Sequence, residues 1–261
     1  MLDMGFLPDI RRILRHLPSK RQTLFFSATM PPPIATLARD MLRNPVAIDI
    51  ERQSAPASGI TQAVYPVAQQ LKAALLVRLL TKGDMRDALV FTRTKHRADR
   101  LAKHLAQHEI RVERIHGNRS QAQRTDALAG FKSGKYRVLV ATDIAARGID
   151  INELGHVVNF DTPAAPDDYV HRVGRTARAE ATGTAFTFVA PDEEEYLRGI
   201  ERAIGRRLPR VTVPDFDYAA RQTPALEVPH HERIAAIRRQ KATERERART
   251  NAARRGRGFR R

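Results

Sequence analysis

Residues 61–92, TQAVYPVAQQLKAALLVRLLTKGDMRDALVFT, decide the fold. TQAVYPV reads as a strand, QLKAALLVRLLTKG as a helix closed by Gly83, and DALVFT as a second strand. Working outward, the same alternation continues. TKHRADRLAKHLAQH predicts a helix, IRVERIHG a strand that ends at a glycine, SQAQRTDALAGFKSG a helix and YRVLVAT a strand. GHVVNFD is a strand, APDDYVHRVGRTAR contains a helix, GTAFTFVA is a strand, and PDEEEYLRGIERAIG is the last helix. Strands alternating with helices of this length predict an α/β fold, a parallel sheet with helices on both faces. Such sheets bind ligands beyond the carboxyl ends of their strands.

Upstream, FLPDIRRILRHL has apolar residues at helical spacing, QTLFFSAT reads as a short strand, MPPPIATLARDML as a helix and NPVAIDI as a strand. ERQSAPASG (51–59) is small and polar, and predicts a linker. After PRVTVPDFDY the alternation stops. Too few apolar residues follow to bury a core, so mostly disorder is expected. The expected organisation is a partial domain over 1–50, a linker over 51–59, a folded domain over 60–218 and a basic tail over 219–261.

The 261 residues carry a net charge of +17, with 42% hydrophobic residues, enough to fill a core. The excess charge is uneven: residues 231–261 hold 12 Lys/Arg against 3 Glu. A sign bias concentrated in one arginine-rich tail (ARRGRGFRR) points to a polyanion partner, against the alternative of a solvated tail. There is no Cys, which excludes disulfide scaffolds, thiolate metal sites and Cys nucleophiles and fits a reducing compartment. There is no Trp and aromatics are 6%, so extensive base-stacking platforms are not expected. No apolar run of about 18 residues occurs, so no membrane span is expected. MLDMGFLPDIRR does not read as a signal peptide.

Several strand ends carry polar clusters. HRVGRTARA (171–179) spaces Arg172, Arg175 and Arg178 along one expected helix face, with no acid between Asp168 and Glu180. Planar guanidinium forks suit phosphate oxygens, and the absence of acids favours that reading over a solvated face. YRVLVATDIAARGIDI (136–151) runs from an apolar strand into Thr142, Asp143, Arg147, Gly148 and Asp150. That arrangement suits a sugar-phosphate chain, and equally an Asp-capped turn into a helix. IHGNRSQAQR leaves a strand through Gly117, and Ser120 can cap a helix carrying Gln121 and Arg124. SAT (27–29) and VFTRT (90–94) are ordinary strand ends when taken alone.

GFKSGK (130–135) imitates a phosphate loop but is one residue short between its glycines, and Tyr136 stands where a magnesium-ligating hydroxyl belongs. It reads as a helix end and turn. FVAPDEEE (188–195) imitates a magnesium carboxylate after a strand, but fits a helix N-terminus better. The nine histidines show no metal spacing, so no metal ligands are expected.

Taken in order, SAT, VFTRT, HG…SQAQR, VATDIAARGIDI and HRVGRTARA resemble a DEAD-box RNA helicase of superfamily 2 over residues 1 to about 218. The stretch IERAIGRRLPRVTVPDFDY with a basic tail looks most like the bacterial RhlE type. The resemblance implies two RecA-like domains. The first supplies a phosphate loop and an Asp-Glu-Ala-Asp magnesium site. In relatives the sequence around MLDMGF follows that acidic site directly, so residues 1–50 are expected to be a remnant of the first domain and 60–218 the second. ATP with Mg2+ would then be bound largely by residues outside this chain, which alone is expected to lack ATPase activity.

The resemblance also implies roles. Arg175 and Arg178 would be arginine fingers on the γ-phosphate, with His171 and Arg172 tying that motif to the phosphates or the neighbouring domain. Asp150 would contact the ATP ribose. Ser27 and Thr29 would relay nucleotide state across the cleft. Thr92, Gly117, Gln121, Arg124, Thr142 and Gly148 would hold RNA phosphates and riboses. Ala177 stands where many relatives have Gly. The resemblance implies a monomeric, cytoplasmic portion of an ATP-dependent RNA helicase with RNA as partner. An ATP-independent RNA-binding module and a DNA helicase are the competing readings.

Overall fold

The computed structural model describes residues 7–27, 30, 32–48, 59–83, 85–146, 154–176 and 183–220. Thr29, Gly148, Asp150, Arg178, the stretch 51–58 and the tail beyond Ala220 lie outside the described residues.

Two helices come first, α1 (Leu7–Arg15) and α2 (Pro32–Met41). The chain then builds β1 (Ile60–Pro66), α3 (Lys72–Thr81), β2 (Ala88–Phe91), α4 (Lys95–Gln107), β3 (Val112–Ile115), α5 (Gln121–Lys132) and β4 (Val138–Ala141). After these come α6 (Asp143–Ala146), β5 (His156–Asn159), α7 (Pro166–Val173), β6 (Gly183–Val189) and α8 (Glu194–Ile204). The six strands pair in the order β1-β6-β5-β2-β4-β3, every pair parallel. This is the predicted α/β architecture.

Strand side chains alternate between the two faces of the sheet. Ala88 and Val90 of β2, with Val138 and Val140 of β4, pack under α3 and α4 beside Leu75, Leu76, Leu101 and Leu105. Leu89, Phe91, Leu139 and Ala141 face the other way, against Ala127 and Phe131 of α5 and Ala145 and Ala146 of α6. On that second face α7 and α8 cover β1 and β6 through Tyr169, Val173, Leu197 and Ile200. Both faces are covered, so the strands read as nearly continuous apolar runs.

The helix ends follow the sequence signals. Thr94 caps α4 by accepting from the Arg97 amide at 3.2 Å. Ser120 and Gln123 form a reciprocal capping box on α5, at 3.3 and 3.1 Å. Gly205 closes α8 with φ +70°. GFKSGK is the end of α5 followed by a turn at Gly134, φ +75°, the conformation expected for that stretch.

Two predicted strands are absent. Residues 21–27 and 45–48 carry no strand, and Leu24 and Phe26 are 70% and 87% exposed. A β-prone apolar run becomes a strand only when a neighbour takes up its amides and carbonyls, and no described segment pairs with either stretch.

Candidate functional site

Pairing aligns three strand ends. Phe91 lies beside Ala141, and Ala141 beside Ile115. The next residues, Thr92, Thr142 and His116, therefore form a row along the carboxyl edge, at strand spacings of about 4.8 Å. The ladder continues into it: the Thr92 amide donates to the Ala141 carbonyl at 2.9 Å and the Thr142 amide to that of Ile115 at 3.2 Å.

Along this row Gly117 is exposed, and a Cβ placed there would meet no atom within 4 Å. That leaves an open approach for a ligand chain. Gln121 is exposed on the first turn of α5, and Arg124 donates to the His116 carbonyl at 3.4 Å. Lys95 bridges to Asn118 at 2.9 Å, tying the start of α4 to the Gly117 turn. Thr92 and Thr142 are nearly enclosed; the Thr92 hydroxyl donates to the Thr94 carbonyl at 3.4 Å. Thr92 thus shapes the Thr92–Thr94 loop from inside, while Arg93 and Thr94 are its exposed members.

On the β5 side of the same edge, Phe91, Asp143, Ala146, Asp168, His171, Arg172 and Arg175 line a small open cleft. His171 is exposed and Arg175 half-buried. Arg172 and Arg175 do not share a helix face, and Arg178 lies outside the described residues. α7 stops at Val173, Gly174 caps it, and Arg175 sits in the turn beyond. Thr176 then bridges to Leu154.

Arg172 is not a free phosphate fork. It is buried, with Nε and Nη2 on the two Asp143 oxygens at 2.6 and 2.7 Å. Its Nη1 reaches the Asn159 side chain at 3.2 Å and the Asp161 carbonyl at 2.8 Å, and the guanidinium lies 5.1 Å from the Phe91 ring centroid. A bidentate buried pair of this kind braces the edge rather than waiting for a ligand. Sequence spacing missed Asp143 as the partner because α6 brings it in from another motif. The same fold places Asp143 and Asp168 in the cleft, so its charge is mixed although the local sequence around Arg175 lacks acids. Ser27 is exposed and carried on no strand.

A second buried network lies behind the edge. Lys72, fully buried, donates to the Phe160 and Phe188 carbonyls, each at 3.0 Å, and pairs with Glu193. Burial pushes the Lys72 ammonium below its usual range, against the opposing pull of Glu193 and Asp161. Asp99 carries a similar contest. Burial raises it, but Arg114 at 2.6 Å and His116 at 3.0 Å hold its carboxyl below the usual range. No group of three His, Cys, Asp or Glu side chains that could hold a metal occurs among the described residues.

A fully parallel six-stranded sheet with helices on both faces, and this row and cleft on one edge, is a RecA-like α/β fold. The family model of the helicase conserved C-terminal domain matches residues 71–180, and that of the DEAD/DEAH box helicases residues 1–37. The chain is 45% identical over 219 residues to the DEAD-box ATP-dependent RNA helicase CshA of Bacillus licheniformis, covering 84% of this chain and 45% of that one. The Bacillus subtilis CshA gives 46% over the same length, with 84% and 44% covered. Among solved structures, E. coli DEAD-box protein SrmB bound to regulator of ribonuclease activity A is 34% identical, with TM-score 0.59, over 64% of this chain and 99% of that one. S. cerevisiae Dbp5 bound to RNA and ADP BeF3 is 29% identical, with TM-score 0.71, over 79% and 55%. The chain belongs to the DEAD-box ATP-dependent RNA helicase family. It spans about half the length of the curated relatives it matches.

Proposed function

We propose that this chain is the C-terminal portion of an ATP-dependent RNA helicase, gripping the RNA backbone along the Gly117–Thr142–Thr92 row. One observation carries the reading: the row and the His171/Arg175 cleft share one sheet edge and are joined through the Asp143–Arg172 pair next to Thr142. The exposed groups beside the row, Thr94, the Gly117 turn and Gln121 among them, are of the kind that meets phosphate and ribose without reading bases.

ATP with Mg2+, held by a facing RecA-like domain, would supply the phosphoryl group transferred to water. In this chain Arg175 and Arg178 would then neutralise the charge that builds on that group, steadied by His171. Asp150 would contact the ribose, and Ser27 and Thr29 would connect the nucleotide to the RNA row. Arg172 keeps α7 at the right height for Arg175. The 261 residues contain neither a phosphate loop nor an Asp-Glu-Ala-Asp sequence, so alone they would bind RNA without hydrolysing ATP.

Anisotropy of a fluorescent oligouridylate, titrated at several salt concentrations, and an RNA-stimulated ATPase assay test this together. Affinity should fall steeply with salt, and Arg124→Ala should reduce the log–log slope by roughly 0.7, one single-strand phosphate contact. No RNA-stimulated turnover should appear. Salt-insensitive binding, or ATP turnover abolished by Arg175→Ala, would contradict the proposal.

A further inference from the structure

Asp161 has no place in the row or the cleft, yet it touches both. It follows β5, and the Phe160 and Asp161 amides both donate to the Phe91 carbonyl, at 3.0 and 3.3 Å. Its side chain is fully buried. One oxygen accepts the Arg93 amide at 2.8 Å, and the other pairs with the Arg97 guanidinium at 3.2 Å. Its carbonyl accepts from Arg172 on α7 at 2.8 Å.

Arg93 is the middle of the Thr92–Thr94 loop. Its amide is held by Asp161, and its guanidinium reaches the Thr162 carbonyl at 3.3 Å and Glu193 at 3.1 Å while lying over the Tyr196 ring. At the far end of the loop Thr94 caps α4. Lys95 links this segment to the Gly117 turn. A buried carboxylate is costly to desolvate, and it persists here because an amide and a guanidinium meet it.

We propose that Asp161 is a positioning residue for RNA binding. It fixes the height of the Thr92–Thr94 loop against the strand-end row and, through Arg172, that of α7. This inference rests on the RNA-backbone reading above. Asp161 itself touches no RNA; the loop it holds carries the exposed Thr94 and leads into Lys95, which reaches Asn118 beside Gly117.

The test compares the full chain with Asp161→Ala, Asp161→Asn and Leu79→Ala. Leu79 is a buried core residue of α3, so its truncation is a stability control. Binding of fluorescent oligouridylate is measured at a temperature where circular dichroism shows every variant folded. Asp161→Ala should weaken binding about tenfold, the order expected for losing the charge-assisted hydrogen bond from the Arg93 amide together with the Arg97 ion pair. Asp161→Asn keeps one acceptor for the Arg93 amide and should recover most of that loss. Leu79→Ala should bind like the unsubstituted chain.

Amide hydrogen exchange supplies a second readout. Exchange at Arg93 should accelerate in both Asp161 variants, more in the alanine, while that at Val90 within β2 stays slow. If Asp161→Ala does not fold, the asparagine variant carries both readouts. Unchanged affinity and Arg93 exchange in the Asp161 variants overturns the proposal, as does equal weakening in Leu79→Ala. If the unsubstituted chain fails to bind RNA, the proposed function falls, and Arg93 exchange alone decides whether Asp161 positions the loop.

Discussion

Replacing Lys72 by methionine removes a fully buried cation at the start of α3 while keeping most of its volume. Its ammonium serves the Phe160 and Phe188 carbonyls and Glu193. Phe188 retains the Thr162 hydroxyl at 3.1 Å, and Glu193 retains Thr162 at 3.2 Å, the Ala190 amide at 3.1 Å and Arg93 at 3.1 Å. Breaking a buried ion pair from one side costs about 3–5 kcal/mol, because the remaining charge stays buried. Arg93 still neutralises Glu193, so the lower end, about 3 kcal/mol, is expected here. For a folded unit of this size that lowers Tm by about 6–12 °C. Replacing both partners, Lys72→Met with Glu193→Leu, should cost less than the two single changes together, since neither charge is then stranded. Urea unfolding followed by circular dichroism for the single and double variants measures the coupling. A Lys72→Met variant as stable as the unsubstituted chain, or strictly additive effects, would refute the reasoning.

Three further outcomes follow from the same coordinates. Burial raises Glu201, but Arg210 and the Leu208 amide outweigh it and hold the carboxyl below its usual range. Its folded value thus lies under the unfolded one, near 4.5. The stability it contributes is present above pH 4.5 and is lost as pH falls through the folded value; Glu201→Gln should flatten acid unfolding in that window. Arg172→Lys should destabilise by about 2–4 kcal/mol in urea titrations, because one ammonium cannot replace the fork on Asp143 and the bonds to Asn159 and Asp161. Burial holds the Tyr169 phenol, which donates to Gln62 at 2.8 Å, well above the usual range. In alkaline titration at 295 nm one tyrosine should ionise only on unfolding, and Tyr169→Phe should leave the native titration unchanged while removing that step.

The sheet was legible because the central strands β2 and β4 are short apolar runs buried on both faces and two of the intervening helices start at side-chain caps, Thr94 and Ser120. The strand-end row was legible for the same reason: a polar residue directly after such a run must lie at the carboxyl edge. QTLFFSAT and NPVAIDI misled because strand formation depends on a neighbour that local sequence does not specify. The Arg172–Asp143 pair was hidden by a separation of 29 positions. Asp161 was equally hidden, since its partners Arg93, Arg97 and Arg172 come from two other helix starts and ends. Charged residues after apolar strands are readable as edge residues; which of them are spent on one another is decided only by the strand order.

The central claim is that RNA lies along the carboxyl edge of this sheet. Cross-linking the chain to a 4-thiouridine oligonucleotide, with peptide mapping by mass spectrometry, tests it most directly. Cross-links should fall at Arg93–Lys95, Gly117–Gln121 and the residues after Thr142. Cross-links concentrated at the opposite edge, around Arg86, Arg111 and Lys135, would contradict it.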